Sequence, residues 1–295
     1  MKLQYIVKKN EKLKTLKEIL KVEFKLSDRL LLKLKKNKLI TLNDNFTYLK
    51  HEIYENDIIV CDLDFEEDNS NIIPVENKEL DIIYEDECYL IINKPAGIPV
   101  HPSMQHFTDS LSNQVAFYFN KIGLKKKIRP VNRLDKDTSG LVVFAKNEYI
   151  QELLVNQMQL NTFEKKYIAI VEGHLTNRKG TINLPIARKD NSIIERCISN
   201  DGLPSITHYR VLESNESNNY DVVECILETG RTHQIRVHFA SIGHSLVGDT
   251  LYGNPSNLID RQALHAYKIS FIHPILKAKV EYISPIPSDM KKFLF

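Results

Sequence analysis

Cysteine is scarce and scattered. Cys61, Cys88, Cys197 and Cys225 are the four in 295 residues, and no two form a Cys-x-x-Cys pair. That spacing offers neither a zinc cluster nor a disulfide framework, as expected of a chain kept in a reducing compartment, here the cytoplasm. No apolar run approaches the roughly 20 residues that cross a bilayer. The apolar part of the first nine residues is too short for a secretory signal, so no membrane partner is expected. A glycine-rich phosphate loop of either common type is missing, as is any internal repeat. Chemistry driven by a bound nucleotide is therefore not indicated, and no cofactor is expected.

What the chain has is size and a segregated charge. At 295 residues and 42% hydrophobic, it has length for one large domain or two ordinary ones, with a substantial core. The net charge of +2 conceals three blocks. Residues 1–50 hold 14 Lys/Arg against 5 Asp/Glu, residues 51–90 hold 1 against 14, and residues 91–295 hold 25 against 19. Two basic segments around an acidic one predict two surfaces able to approach a polyanion, although lysine-rich solvated faces give the same counts.

Periodicity predicts a helix over residues 15–24, with Leu16, Ile19, Leu20 and Phe24 on one face. A second follows, capped by Ser27, with Leu30, Leu31 and Leu34 inward and Arg29, Lys33, Lys35, Lys36 and Lys38 around them. Short strands are expected at 39–42, 46–49 and 58–60. Residues 64–71 are acidic and lack periodicity, which reads as a linker. Beyond it, residues 80–84 and 89–93 predict a hairpin. Asp109 is a candidate cap for a helix reaching about residue 122, and Lys125, Lys126, Lys127 and Arg129 follow it. Lys94 flanks the Pro95–Gly97 turn and is also placed to meet a phosphate. A helix is expected over 148–160, one starting near Thr232, and strands at 165–171, 181–184, 208–212, 222–227, 264–271 and 279–283. Many strands with few helices predict an α+β domain with a mixed, mainly antiparallel sheet.

The densest polar stretch is Asn132-Arg-Leu-Asp-Lys-Asp-Thr-Ser-Gly140, joined directly to the apolar run 141–145. Polar side chains held at the mouth of a core strand make a site, and the same residue types also make a capped turn. The stretch resembles the signature loop of the RluA-type pseudouridine synthases, which usually carry His at the position of Asn132. The resemblance extends to Lys165-Lys-Tyr-Ile-Ala169, Gly230-Arg-Thr-His-Gln-Ile-Arg-Val-His238, Leu246-Val-Gly-Asp-Thr-Leu-Tyr-Gly253 and Leu264-His-Ala266, in that order, and covers roughly residues 80–272. It implies an isomerase that flips a uridine out of an RNA stack and reattaches its base through carbon five, with Asp135, Tyr167 and Arg231 as catalytic residues. Arg231 is the implied partner of Asp135, and Arg133 the implied RNA contact beside it. His233 and His238 are five apart and no acidic third ligand stands out, so no metal site is expected.

Residues 10–63 resemble, at the level of pattern, the S-four RNA-binding domain. The expected layout is an S-four-like RNA-binding domain over 1–63, an acidic linker over 64–78 and a pseudouridine synthase catalytic domain over 79–295. Lys33, Lys36, Lys125, Lys126, Arg133 and Arg236 are the expected RNA contacts. The expected partner is RNA, large-subunit ribosomal RNA ahead of tRNA, acted on by a monomer. The competing reading is a non-catalytic RNA-binding or ribosome-assembly factor on the same fold. The intact set Asp135, Tyr167 and Arg231 disfavours it, because a pure binder gains nothing from a carboxylate facing a polyanion.

Overall fold

The apolar run after the signature loop becomes a strand buried at all seven positions, Ser139–Ala145, and the larger of two main sheets is assembled around it. The computed structural model describes residues 1–295 apart from Lys12, Ser70, Asn77, Lys78 and Phe295, so three positions of the expected 64–78 linker lie outside the described residues. In chain order the N-terminal elements are β1 (Lys2–Ile6), α1 (Leu16–Val22), α2 (Asp28–Lys36), β2 (Ile40–Leu42), β3 (Asn45–Phe46) and β4 (Ile58–Asp62). Next come β5 (Ile82–Glu85), β6 (Tyr89–Lys94), α3 (Leu111–Lys121), β7 (Arg129–Pro130), β8 (Ser139–Ala145), α4 (Glu148–Gln159), β9 (Glu164–Glu172) and β10 (Lys179–Asn183). The remainder are β11 (Ile186–Arg188), β12 (Arg196–Ile198), β13 (Ile206–Asn215), β14 (Tyr220–Leu227), α5 (Gln234–Ser241), β15 (Leu264–Ile272), β16 (Lys279–Ile283) and α6 (Ser288–Lys291).

The N-terminal elements form an antiparallel sheet in the order β1–β4–β2–β3 with α1 and α2 packed on it. Thr15 starts α1 through a capping box with Glu18, and Ser27 caps α2 by accepting the Leu30 amide. The large sheet runs β10–β13–β14–β9–β15–β8–β6–β5, with β16 added to β15 and β7 to β8. Its pairs are antiparallel except β8 with β15, so the sheet is mixed and mainly antiparallel. At that parallel pair a side chain on Gly140 would meet the Ala266 backbone at 2.2 Å, and Gly140 also has φ +115°. Only glycine permits this approach, which sets the signature loop directly against the end of β15. Ser110, not Asp109, caps α3, while Asp109 bonds His106.

The acidic stretch is not a free linker. Glu67 has a side chain only 3% exposed and takes two hydrogen bonds from Arg129 and one from Lys33. Lys33 also pairs with Glu148 at the start of α4, and Ser27 donates to Glu152 one turn further on. Asp64 and Glu66 bind Lys126 and Lys125. One apolar cluster runs through both sheets' neighbourhoods, from Leu16, Leu31 and Cys61 to Tyr149, Ile150 and Phe271. Residues 64–69 therefore strap α2 against the larger unit.

Candidate active site

The signature loop leaves β7, turns through Asp135 and re-enters the sheet as β8, and it is pinned from every side. Asn132 is buried and mimics a strand neighbour: its Nδ2 donates to Leu141 O at 3.0 Å and its Oδ1 accepts from Val143 N at 2.9 Å. Arg261 Nη1 donates to Asp137 O, and Gln262 Nε2 to Thr138 Oγ1. Lys94 is fully buried, and its Nζ donates to the carbonyls of Pro95, Ile98 and Lys136, each at 2.8 Å. Burial pulls this ammonium down to about 7, yet three carbonyls take its three N–H donors. Lys94 is thus no phosphate contact; it ties the Pro95–Ile98 turn to the loop that carries Asp135.

Asp135 is 22% exposed at the loop tip. Arg236 Nη1 lies 3.6 Å from its Oδ2, and His233 Nε2 lies 3.8 Å from its Oδ1. Both distances are outside hydrogen-bonding range, so the carboxylate is flanked by charge and polarity without being clamped. Arg236 is held from behind. Its Nε and Nη2 each donate to Asp249 at 2.7 Å, and its guanidinium lies 5.0 Å from the Tyr252 ring centroid. Asp249 is fully buried and also accepts from the Leu251 and Tyr252 amides.

Tyr252 Oη accepts the Arg196 backbone N–H at 2.8 Å and lies 2.8 Å from His233 Nδ1, which fixes the imidazole with its Nε2 edge toward Asp135. Burial lowers the His233 pKa, as do Arg236 and Arg196, against the opposing pull of Asp135, so the ring is neutral near neutral pH. Its backbone is left-handed, with φ 58°, where the chain swings into α5. Tyr167, on β9, is buried, and burial and then Asp135 raise the pKa of its phenol. It is a flat neutral ring, resistant to ionisation.

The structure redraws several expectations. Arg231 does not pair with Asp135; it is exposed, and its Nε donates to Pro204 O. Arg236, expected to contact RNA, is the arginine beside Asp135 and is buried in its ion pair with Asp249. The reason is local geometry: Arg236 lies in the first turn of α5, and the left-handed turn at His233 brings both residues toward Asp135, whereas Arg231 precedes that turn. Lys33, Lys125 and Lys126 are engaged by Glu67, Glu66 and Asp64, and Lys126 is buried. Lys36 and Arg133 are exposed, Arg133 beside Asp135 in the loop. Asp249 and Tyr252 had no role in the sequence reading, His233 was weighed there only as a metal ligand, and Lys94 as a turn flank or phosphate contact. The Gly-Asp-x-x-Tyr pattern at 248–252 was the available signal.

Residues 88–241 match the RNA pseudouridylate synthase family. The uncharacterized RNA pseudouridine synthase YhcT of Bacillus subtilis is 44% identical over 82% of this chain and 82% of its own. The ribosomal large subunit pseudouridine synthase D of Neisseria meningitidis serogroup B is 36% identical over 86% of this chain and 71% of its own. Among solved structures, the human RNA pseudouridylate synthase domain containing 1 protein superposes with a TM-score of 0.58 at 27% identity, covering 72% of this chain and 86% of that one. Both the ordered motifs and the match across most of the chain lead to one conclusion: this chain belongs to the RNA pseudouridylate synthases of the RluA type, isomerases that act on RNA.

Proposed function

We propose that the enzyme isomerises uridines of large-subunit ribosomal RNA, with Asp135 as the carboxylate that acts on the flipped nucleotide. The observation that carries the catalytic assignment is the setting of Asp135: a carboxylate on a rigid loop, partly exposed, faced by the anchored guanidinium of Arg236 and by Nε2 of His233. A flipped nucleotide needs a carboxylate that is reachable and held in place by its surroundings, and among the described residues this one makes no hydrogen bond that substrate would have to break. Arg236 supplies the counter-charge in place of Arg231. Tyr167 supplies a ring on which the uracil stacks. Its resistance to ionisation makes it a poor base for the carbon-five proton. The reaction breaks the bond from ribose to N1, rotates the base and forms the bond from ribose to carbon five; carbon five loses its proton and N1 gains one, so the product is an isomer. No redox change is involved.

Large-subunit ribosomal RNA is favoured because relatives named for that substrate align over most of this chain. Residues 1–63 act in this reading as an S-four-like extension fixed to the catalytic unit, with the exposed Lys36 still available to RNA. The test is to incubate the purified enzyme with unmodified large-subunit ribosomal RNA and with tRNA, and to map pseudouridine in both. Site-specific product in the ribosomal RNA, absent with Asp135→Asn, is expected. Product in tRNA alone overturns the substrate, and full product with Asp135→Asn overturns the residue.

A further inference from the structure

Beside the Asp135 centre, the β11–β12 hairpin and the turn at residues 230–232 enclose an open cleft of about 480 Å³. Three arginines line it, Arg188, Arg196 and Arg231, together with Gly230, Thr232 and a single carboxylate, Asp201. Elsewhere Arg29, Arg129, Arg210, Arg236 and Arg261 each pair with a carboxylate, while Arg133 and Arg178 stand singly without one among the described residues. Arg188, Arg196 and Arg231 make no such pair among the described residues; Arg196 and Arg231 bond only to backbone carbonyls. Three guanidiniums gathered around one cleft repel one another, and the arrangement becomes favourable when an anion enters.

A fourth cation lies behind the cleft wall. Lys165 is 9% exposed, its ammonium has no hydrogen bond or ion pair among the described residues, and its Nζ lies 3.3 Å from where a Cβ on Gly230 would sit. Burial lowers its pKa, with no neighbouring carboxylate opposing the shift. Its ammonium has no carboxylate of the chain beside it among the described residues, so an anion in the cleft supplies the counter-charge.

The cleft is joined to the active centre through short contacts. The Arg196 backbone N–H bonds Tyr252 Oη, which bonds His233, and Thr232 precedes His233 in the chain. We propose that this cleft binds the backbone of the RNA next to the target uridine, with Arg188, Arg196 and Arg231 holding consecutive phosphodiester groups. The guanidinium fork matches phosphate oxygens in a bidentate manner and is weakly hydrated, which suits a half-open cleft. Phosphates held here position the strand so that the adjoining nucleotide reaches Asp135. The proposal rests on the reading of Asp135 as the centre that receives the flipped uridine, and it gives Arg231 a binding role.

The test uses the full chain and a single-stranded RNA oligonucleotide containing a central uridine. Binding is measured across salt concentrations for the wild type, for Arg188→Gln and Arg231→Gln singly and combined, and for Lys279→Gln, an exposed residue of β16. Each single substitution is expected to weaken binding roughly three- to tenfold. The pair should make the salt dependence shallower by about 1.4 in logarithmic slope, about 0.7 per lost phosphate contact on a single strand. The control should match the wild type. An oligonucleotide with uncharged methylphosphonate linkages flanking the uridine should bind the wild type and the double variant alike. Wild-type affinity and slope in the double variant would overturn the proposal. Pseudouridine is scored in the same samples. A wild type that binds through the arginines but forms no product leaves the cleft standing and removes the Asp135 reading; product formation with arginine-independent binding does the reverse.

Discussion

Asp135 sits 3.6 Å from one cation and 3.8 Å from one imidazole, and the residue behind that cation decides how much each substitution disturbs. Asp135→Asn removes a partly exposed charge that no hydrogen bond among the described residues holds. Its thermal midpoint and RNA affinity should stay near wild type while single-turnover isomerisation at saturating RNA falls to background; a variant retaining most of the rate removes Asp135 from the chemistry. Arg236→Met is a harsher change, because it leaves the fully buried Asp249 without its bidentate partner. A destabilisation of about 3–5 kcal/mol is expected in denaturant titration, together with loss of activity. Adding Asp249→Asn should recover part of the stability and none of the rate, since the Asp135 counter-charge is still missing. Arg231→Met should instead keep its midpoint and weaken RNA binding. If Arg231→Met lost the saturated rate and Arg236→Met kept it, the pairing argued here would be the wrong one.

At the scale of elements, the strap over residues 64–69 shows how an acidic run becomes structural. Burial alone would raise the Glu67 carboxyl, but its hydrogen bonds with Arg129 and Lys33 outweigh that and hold it at about 2. The native value lies below the unfolded one. The stabilisation is therefore fully present above the unfolded carboxyl pKa and is lost as the pH falls toward 2, with a magnitude of roughly 3 kcal/mol at neutral pH. Urea unfolding of wild type and Glu67→Gln at pH 7 and at pH 3 should show a wide stability gap at pH 7 that narrows at pH 3. An equal gap at both values would mean that the carboxylate charge does not secure the strap. Both helices of the N-terminal unit were legible from their apolar spacing, and the second also from its Ser27 cap. The direction in which α2 points its cations was not, because Glu67 and Glu148 reach Lys33 from 34 and 115 residues away.

At the scale of the whole molecule, the two units share an apolar cluster as well as the ion pairs. Burial, with Cys61 and Cys88 nearby, pushes the Tyr149 phenol up to about 12, which places a side chain of α4 against the N-terminal sheet. Deleting residues 1–63 would bare Tyr149 and its apolar neighbours and strip Glu67 and Glu148 of Lys33. The truncated chain is expected to melt several degrees lower and to bind a hydrophobic dye more strongly than the full chain. A truncation with the full chain's midpoint and dye binding would show that the units fold independently.

The sequence by itself determined the family, the α+β class, most elements to within a few residues and the loop that carries Asp135. These are properties of contiguous segments, where period, caps and an ordered motif sit side by side on the chain. Only the tertiary structure decided that Arg236 and not Arg231 faces Asp135, that Lys94 ties two loops together, and that Lys33, Lys125 and Lys126 bind the chain's own carboxylates. A motif specifies which charged side chains exist. Local backbone geometry and the docking of distant segments specify which opposite charge each one meets, and in a partly buried site that partner sets what the residue does.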